Sequence, residues 1–96
     1  MFTTLEQVRT EIDRIDHDIV KLVGERLVCV KQASRFKTSE RDVAAPERLA
    51  SMLQARREWA IATGLSADVI EKLFRDMISY FIVTETEEWR SREPSI

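Results

Sequence analysis

The sequence predicts an all-α protein of three helices (long, short, long) assembled as a homodimer. Three observations lead to this. Apolar residues recur at three- and four-residue steps through three separate segments. Only two glycines and two prolines stand in 96 residues, too few to punctuate hairpins or long loops. Hydrophobic residues make up 44% and charged residues 33%, which suits a soluble helical protein. No segment reads as a strand or an internal repeat, and the length predicts one domain spanning residues 1–96.

Leu5, Val8, Ile12, Ile15, Ile19 and Leu22 set out a heptad-like seam that continues through Arg26, Cys29, Ala33 and Phe36. Thr3 or Thr4 can cap its start, with Glu6 and Gln7 as capping-box partners. The seam predicts a helix to about Thr38. Thr38 to Ala45 is polar and aperiodic and reads as a loop. Pro46 opens the second helix, because its missing N–H would be unpaired in the first turn anyway. Leu49, Met52, Leu53, Arg56 and Ala60 trace its inner face, and Gly64 is its expected C-terminal cap. Ser66 caps the third helix, with Asp68 and Val69 in its first turn. Its apolar stripe runs through Ile70, Leu73, Phe74, Met77, Ile78, Phe81, Ile82 and Trp89, and it ends before Pro94.

At 1.5 Å per residue the first helix would span roughly 50 Å. A monomer whose middle helix is half as long cannot cover that stripe. The apolar ends need a partner, which predicts the homodimer with a shared core.

The net charge of −2 gives no global positive field to draw in nucleic acid, so any anion site must come from local placement of cations. Cys29 and His17 are the only residues of their kinds, which rules out an intrachain disulfide and argues against a Cys/His zinc site. Cys29 reads as a small core residue. The opening MFTTLEQVRTEIDRID has no basic stretch followed by an apolar one, as a secretory leader would. No apolar run is long enough to cross a membrane, and a cytoplasmic protein is the expectation.

Several charges stand where apolar residues are expected. Arg26 falls on the seam, one heptad from both Ile19 and Ala33. A buried charge is costly unless paired, so Arg26 either meets an acid from another helix, snorkels to solvent, or faces an anion. Lys37 lies eleven residues further on, within about 20° of the same helical face. Lys31 and Arg35 lie off that face and read as surface. Arg48 sits in the first turn of the second helix, where the helix dipole disfavours a cation. Either an anion offsets this, or Glu47 is a surface companion. Glu85 lies between Phe81 and Trp89 on the apolar stripe. It is either a core ion-pair partner of Arg26, or an acid that burial keeps neutral and able to donate a hydrogen bond.

With these residues in place, the chain resembles the all-helical chorismate mutase family from about Leu5 to Arg90. VRTEIDRIDHDIVKLVGERLVCVKQASRFK is similar to the family's first helix, and APERL to the opening of its second. SRFKTSE, APERLASML and WAIATGL most resemble the isochorismate pyruvate lyase branch, which makes salicylate for siderophores. The resemblance implies an intertwined three-helix dimer with two sites, and a ring dicarboxylate with an enolpyruvyl ether as substrate. It implies that Arg9 reaches in from the partner subunit and holds carboxylate together with Arg26 and Arg48. Lys37 would sit over the breaking C–O bond and one carboxylate. Arg9, seventeen residues before Arg26, points about 100° away from it and so meets a different neighbour. The reaction implied is pericyclic and calls for no nucleophile, metal or cofactor.

Two departures from the family pattern matter. Many mutases, and the lyase branch, carry Gln where this chain has Glu85, which can replace that donor only while protonated. Mutases also place acids at the positions of Ala45 and Leu49 to bind the ring hydroxyl of chorismate. Apolar residues there favour isochorismate, and with Ile78 and Ile82 they are the expected pocket lining. The expected function is therefore pyruvate elimination from isochorismate, with secondary chorismate mutase activity. The alternatives are a mutase of chorismate or of an amino analogue, and a non-catalytic helical dimer. Arg26 and Lys37 argue against the last, since a purely structural seam would be more stable with apolar residues there. The acidic balance and the helix lengths argue against DNA binding.

Overall fold

The computed structural model describes residues 1–92. Three long helices carry the chain: α1 (Leu5–Ala33), α3 (Pro46–Ala62) and α4 (Ala67–Ser91), with a short α2 (Glu40–Ala44) between the first two. There is no strand among the described residues. Pro94, expected to bound the last helix, lies outside them.

The caps are those the sequence specifies. Thr4 Oγ1 accepts from Gln7 N–H at 3.1 Å, and Gln7 Oε1 accepts from Thr3 N–H at 2.7 Å. Gly64 takes a positive φ of 79° after α3, and Ser66 Oγ accepts from Val69 N–H to begin α4.

Two expectations in the connection are corrected. The first helix ends at Ala33 rather than Thr38, and a 3-10 turn over Ser34–Phe36 follows. Ser34 is buried and its hydroxyl bonds back to the Lys31 carbonyl, which tightens that turn. Phe36, expected on the seam, is consequently exposed. The stretch read as a loop contains α2, capped by Ser39 and anchored by buried Val43. Between α2 and α3 the backbone of Ala45 turns left-handed, at φ 44° and ψ 61°. That conformation costs a non-glycine residue about 1–2 kcal/mol. It lets the Ala45 N–H close α2 on Arg41 while its carbonyl opens α3 on Leu49.

The molecule is elongated, 65 × 25 × 16 Å, with a radius of gyration of 17.3 Å. A compact chain of this length has about 12–13 Å. The excess comes from the N-terminal part of α1, whose Leu5, Ile12, Ile15, Ile19 and Leu22 remain 44–61% exposed. The core is confined to the other end, where Val43, Met52, Leu53, Ala60 and Phe81 are buried.

Candidate active site

A cleft of about 360 Å³ opens where the end of α1 meets α2, α3 and α4. This is within the size range of small-molecule sites. Arg26 enters from α1, Lys37 from the linker before α2, Arg48 and Arg56 from α3, and Glu85 from α4. Ala45, Leu49, Ile78 and Ile82 also line it, together with Met52 and Phe81. Cys29, expected in the core, is exposed and borders the cleft. Lys31 and Arg35 do not line it. Neither does Arg9, which is exposed. It stands seventeen residues before Arg26, about 25 Å away along α1.

Glu85 is the sole acid among these residues, against four cations. It pairs with Lys37, at 3.2 Å from Nζ to Oε2, rather than with Arg26. The ammonium approaches off the hydrogen-bonding direction, so buried Oε2 has no hydrogen bond. Lys37 Nζ instead donates to the Asp42 carbonyl at 2.9 Å. Lys37 does not reach the cleft along the helical face that spacing suggested. It sits in extended backbone, φ −91° and ψ 141°, and turns its amine inward from there.

The arginines of the cleft form no ion pair among the described residues. Arg26 Nη2 contacts the Met52 sulfur at 3.6 Å, and its guanidinium lies 5.2 Å from the Phe81 ring centre. Arg48 forms no ion pair among the described residues; its neighbour Glu47 is taken by Arg41 at 2.8 Å. Arg56 was legible only as part of the inner face of α3. Its guanidinium stacks 4.6 Å from the Trp59 ring centre, Nη1 reaches the Met52 carbonyl at 3.5 Å, and buried Nε has no hydrogen bond. Burial first, and then Arg48, pushes the Arg26 guanidinium below its ordinary pKa. Burial, Arg48 and Arg26 do the same to Arg56. Arginine keeps its proton despite such shifts. Among the described residues these three neighbouring guanidinium groups have no ion-pair partner, which leaves the cleft short of negative charge. Nearby Asp42 is held below the usual carboxylate range, chiefly by the Thr38 hydroxyl and then by the Thr38 N–H.

This is a helical protein with a cation-lined cleft suited to a small organic dianion. Residues 8–86 match the chorismate mutase type II family, and the chain belongs to that family. It is 48% identical over 88 residues to the isochorismate pyruvate lyase of Pseudomonas aeruginosa, covering 92% of this chain and 87% of that protein. It is 42% identical over 72 residues to the T-protein of Haemophilus influenzae, covering 74% of this chain and 19% of that one. Against the T-protein of Enterobacter agglomerans the identity is 32% over 89 residues, or 92% of this chain and 24% of the relative. The chain thus corresponds to a minor part of each T-protein.

Proposed function

We propose that this chain is an isochorismate pyruvate lyase that releases salicylate and pyruvate and carries secondary chorismate mutase activity. The observation that carries the proposal is the cleft itself: four cations, one acid and apolar walls, with three arginines that form no ion pair among the described residues. A dicarboxylate supplies the missing charge, and guanidinium forks bind carboxylates in two-point fashion. The 48% identity to a protein named for this reaction supports it. Ala45 and Leu49 give the cleft an apolar wall where a ring hydroxyl of chorismate would want an acid.

In the reaction the ring C–O bond breaks, a ring hydrogen moves to the enol methylene to give pyruvate, and the ring becomes aromatic. Arg26 and Arg48 hold the carboxylates and fold the flexible ether into its reactive shape. Lys37 stabilises negative charge growing on the ether oxygen. Glu85, in its protonated form, donates a hydrogen bond to the same oxygen.

Arg9 completes the site from a second copy. The projecting half of α1 exposes an apolar stripe that an antiparallel partner α1 would cover, in an intertwined homodimer. The linker and α2, which carry Lys37 and border the cleft, act as a lid that ligand binding orders further.

Purified protein given isochorismate and chorismate in separate reactions tests the assignment. Salicylate with equimolar pyruvate should dominate from isochorismate, with slower prephenate formation from chorismate. Faster prephenate formation would make the chain a mutase. No product from either would leave the non-catalytic helical dimer.

A further inference from the structure

We propose that Trp89 is a positioning residue for Lys37, its indole N–H fixing the backbone from which the Lys37 amine enters the cleft. This rests on the assignment of Lys37 to the breaking C–O bond. The indole Nε1 donates to the Lys37 carbonyl at 2.9 Å, across 52 residues of sequence. Glu85, which meets the Lys37 amine at 3.2 Å, stands one helical turn before Trp89 on α4. One face of α4 therefore holds the same lysine at both ends, its carbonyl by an indole and its amine by a carboxyl.

Among the described residues nothing else fixes the backbone of this lysine so directly. Lys37 lies outside any helix, between the 3-10 turn and α2. Its own N–H makes a long 3.3 Å bond to the Ser34 carbonyl. The Asp42 carbonyl that receives its amine belongs to the same short segment and moves with it. The neighbouring contacts run the same way, from the end of α4 to the segment around Lys37. Arg90 Nε donates to Glu40 at 2.7 Å, and Arg92 bonds the Ser34 hydroxyl and, at 3.2 Å, the Lys31 carbonyl. Arg90 and Glu40 are exposed, so their pair contributes little. The half-buried indole bond is neutral and directional, and is the one that sets the lysine's backbone.

Trp89→Phe keeps a ring and removes the N–H. Turnover of isochorismate should fall by about 10- to 100-fold, since a displacement of order 1 Å at the reacting centre has effects of that size. KM should change by less than about threefold, since the carboxylate-binding arginines stay in place. In a Lys37→Ala background the same substitution should alter turnover by less than about twofold, because the group it positions is gone. Without any substrate, trypsin should cut after Lys37 and Arg41 faster in Trp89→Phe than in the natural protein. If Trp89→Phe loses helical content, benzothienylalanine at position 89 replaces it, exchanging only the N–H for sulfur. Unchanged turnover and cleavage would overturn the inference, as would an equal loss of turnover in both Lys37 backgrounds. If the natural protein converts neither substrate, the functional assignment fails and the cleavage rates alone decide for or against Trp89.

Discussion

The two halves of α1 are each incomplete, and in opposite ways. Toward the N-terminus the helix presents Leu5, Ile12, Ile15, Ile19 and Leu22 with about half their surface in water. Its polar side is already self-sufficient, Arg14 bridging Glu11 and Asp18 at 2.6 and 2.8 Å. Toward the C-terminus Val23, Leu27 and Val30 are half-buried, but Arg26, with no ion pair among the described residues, turns its guanidinium onto Phe81 and Met52. One half lacks apolar cover and the other lacks negative charge. Covering five half-exposed aliphatic side chains is worth on the order of 5 kcal/mol per protomer. That matches the whole stability of a small domain, which is why a partner chain is proposed to meet the first deficit. An acid supplied to Arg26 from within the protein would fill the place proposed for the substrate, which is why the ligand is proposed to meet the second.

The most severe way to break this contrast is a charge in the exposed stripe. Ile15→Glu with Ile19→Glu should abolish the dimer and, with it, most helical structure and all activity. Sedimentation and circular dichroism read this directly; unchanged mass and melting would show that the stripe is not an interface. Next in size is the cleft. Lys37→Ala should lower turnover by a factor on the order of 100 or more, the usual scale for one donor at a developing oxyanion. A change confined to apparent affinity would reduce Lys37 to a carboxylate anchor. Lys37→Ala should leave the oligomeric mass unchanged, which keeps the two halves experimentally separate.

How far these two halves could be read from sequence follows from periodicity. Arg26 and Glu85 were legible as charges on otherwise apolar helical faces, and Arg48 as a cation in a helix's first turn; all three line the cleft. Lys37 was reached by the wrong geometry: helical phase was carried past Ala33, where buried Ser34 tightens the chain and ends it. α2 was missed because a five-residue helix with one buried side chain, Val43, shows no period. Cys29 follows the seam but borders an open cleft, and a seam does not say which of its positions face a ligand. Arg56 lay in the expected inner face, yet only its unbonded Nε marks it as part of the site. The Glu85–Lys37 pairing depends on a tertiary approach between the linker and α4, which no local pattern encodes.

Smaller effects sharpen the same contrast. Arg56→Met keeps the contact with Trp59 and Phe74 but removes charge. It should weaken binding of an unreactive ring dicarboxylate about 10-fold, the value of one charge-assisted hydrogen bond, as measured by calorimetry. Equal affinity would leave Arg56 a packing residue. Glu85→Gln places a permanent hydrogen-bond donor of nearly the same shape opposite Lys37. It should raise turnover of isochorismate at neutral pH, read as salicylate formed. A folded variant with unchanged or lost turnover would make Glu85 a structural partner of Lys37.

The two halves of α1 meet in one experiment, because Arg9 belongs to the projecting half and is proposed to serve the cleft of the other chain. An Arg9→Ala chain and a Lys37→Ala chain, each impaired alone, are unfolded together in equal amounts and refolded. Half of the dimers should then be mixed, each with one intact site, so about a quarter of the natural activity should return. No recovery above the two separate variants, in refolded dimers of confirmed mixed composition, would contradict a site shared between chains.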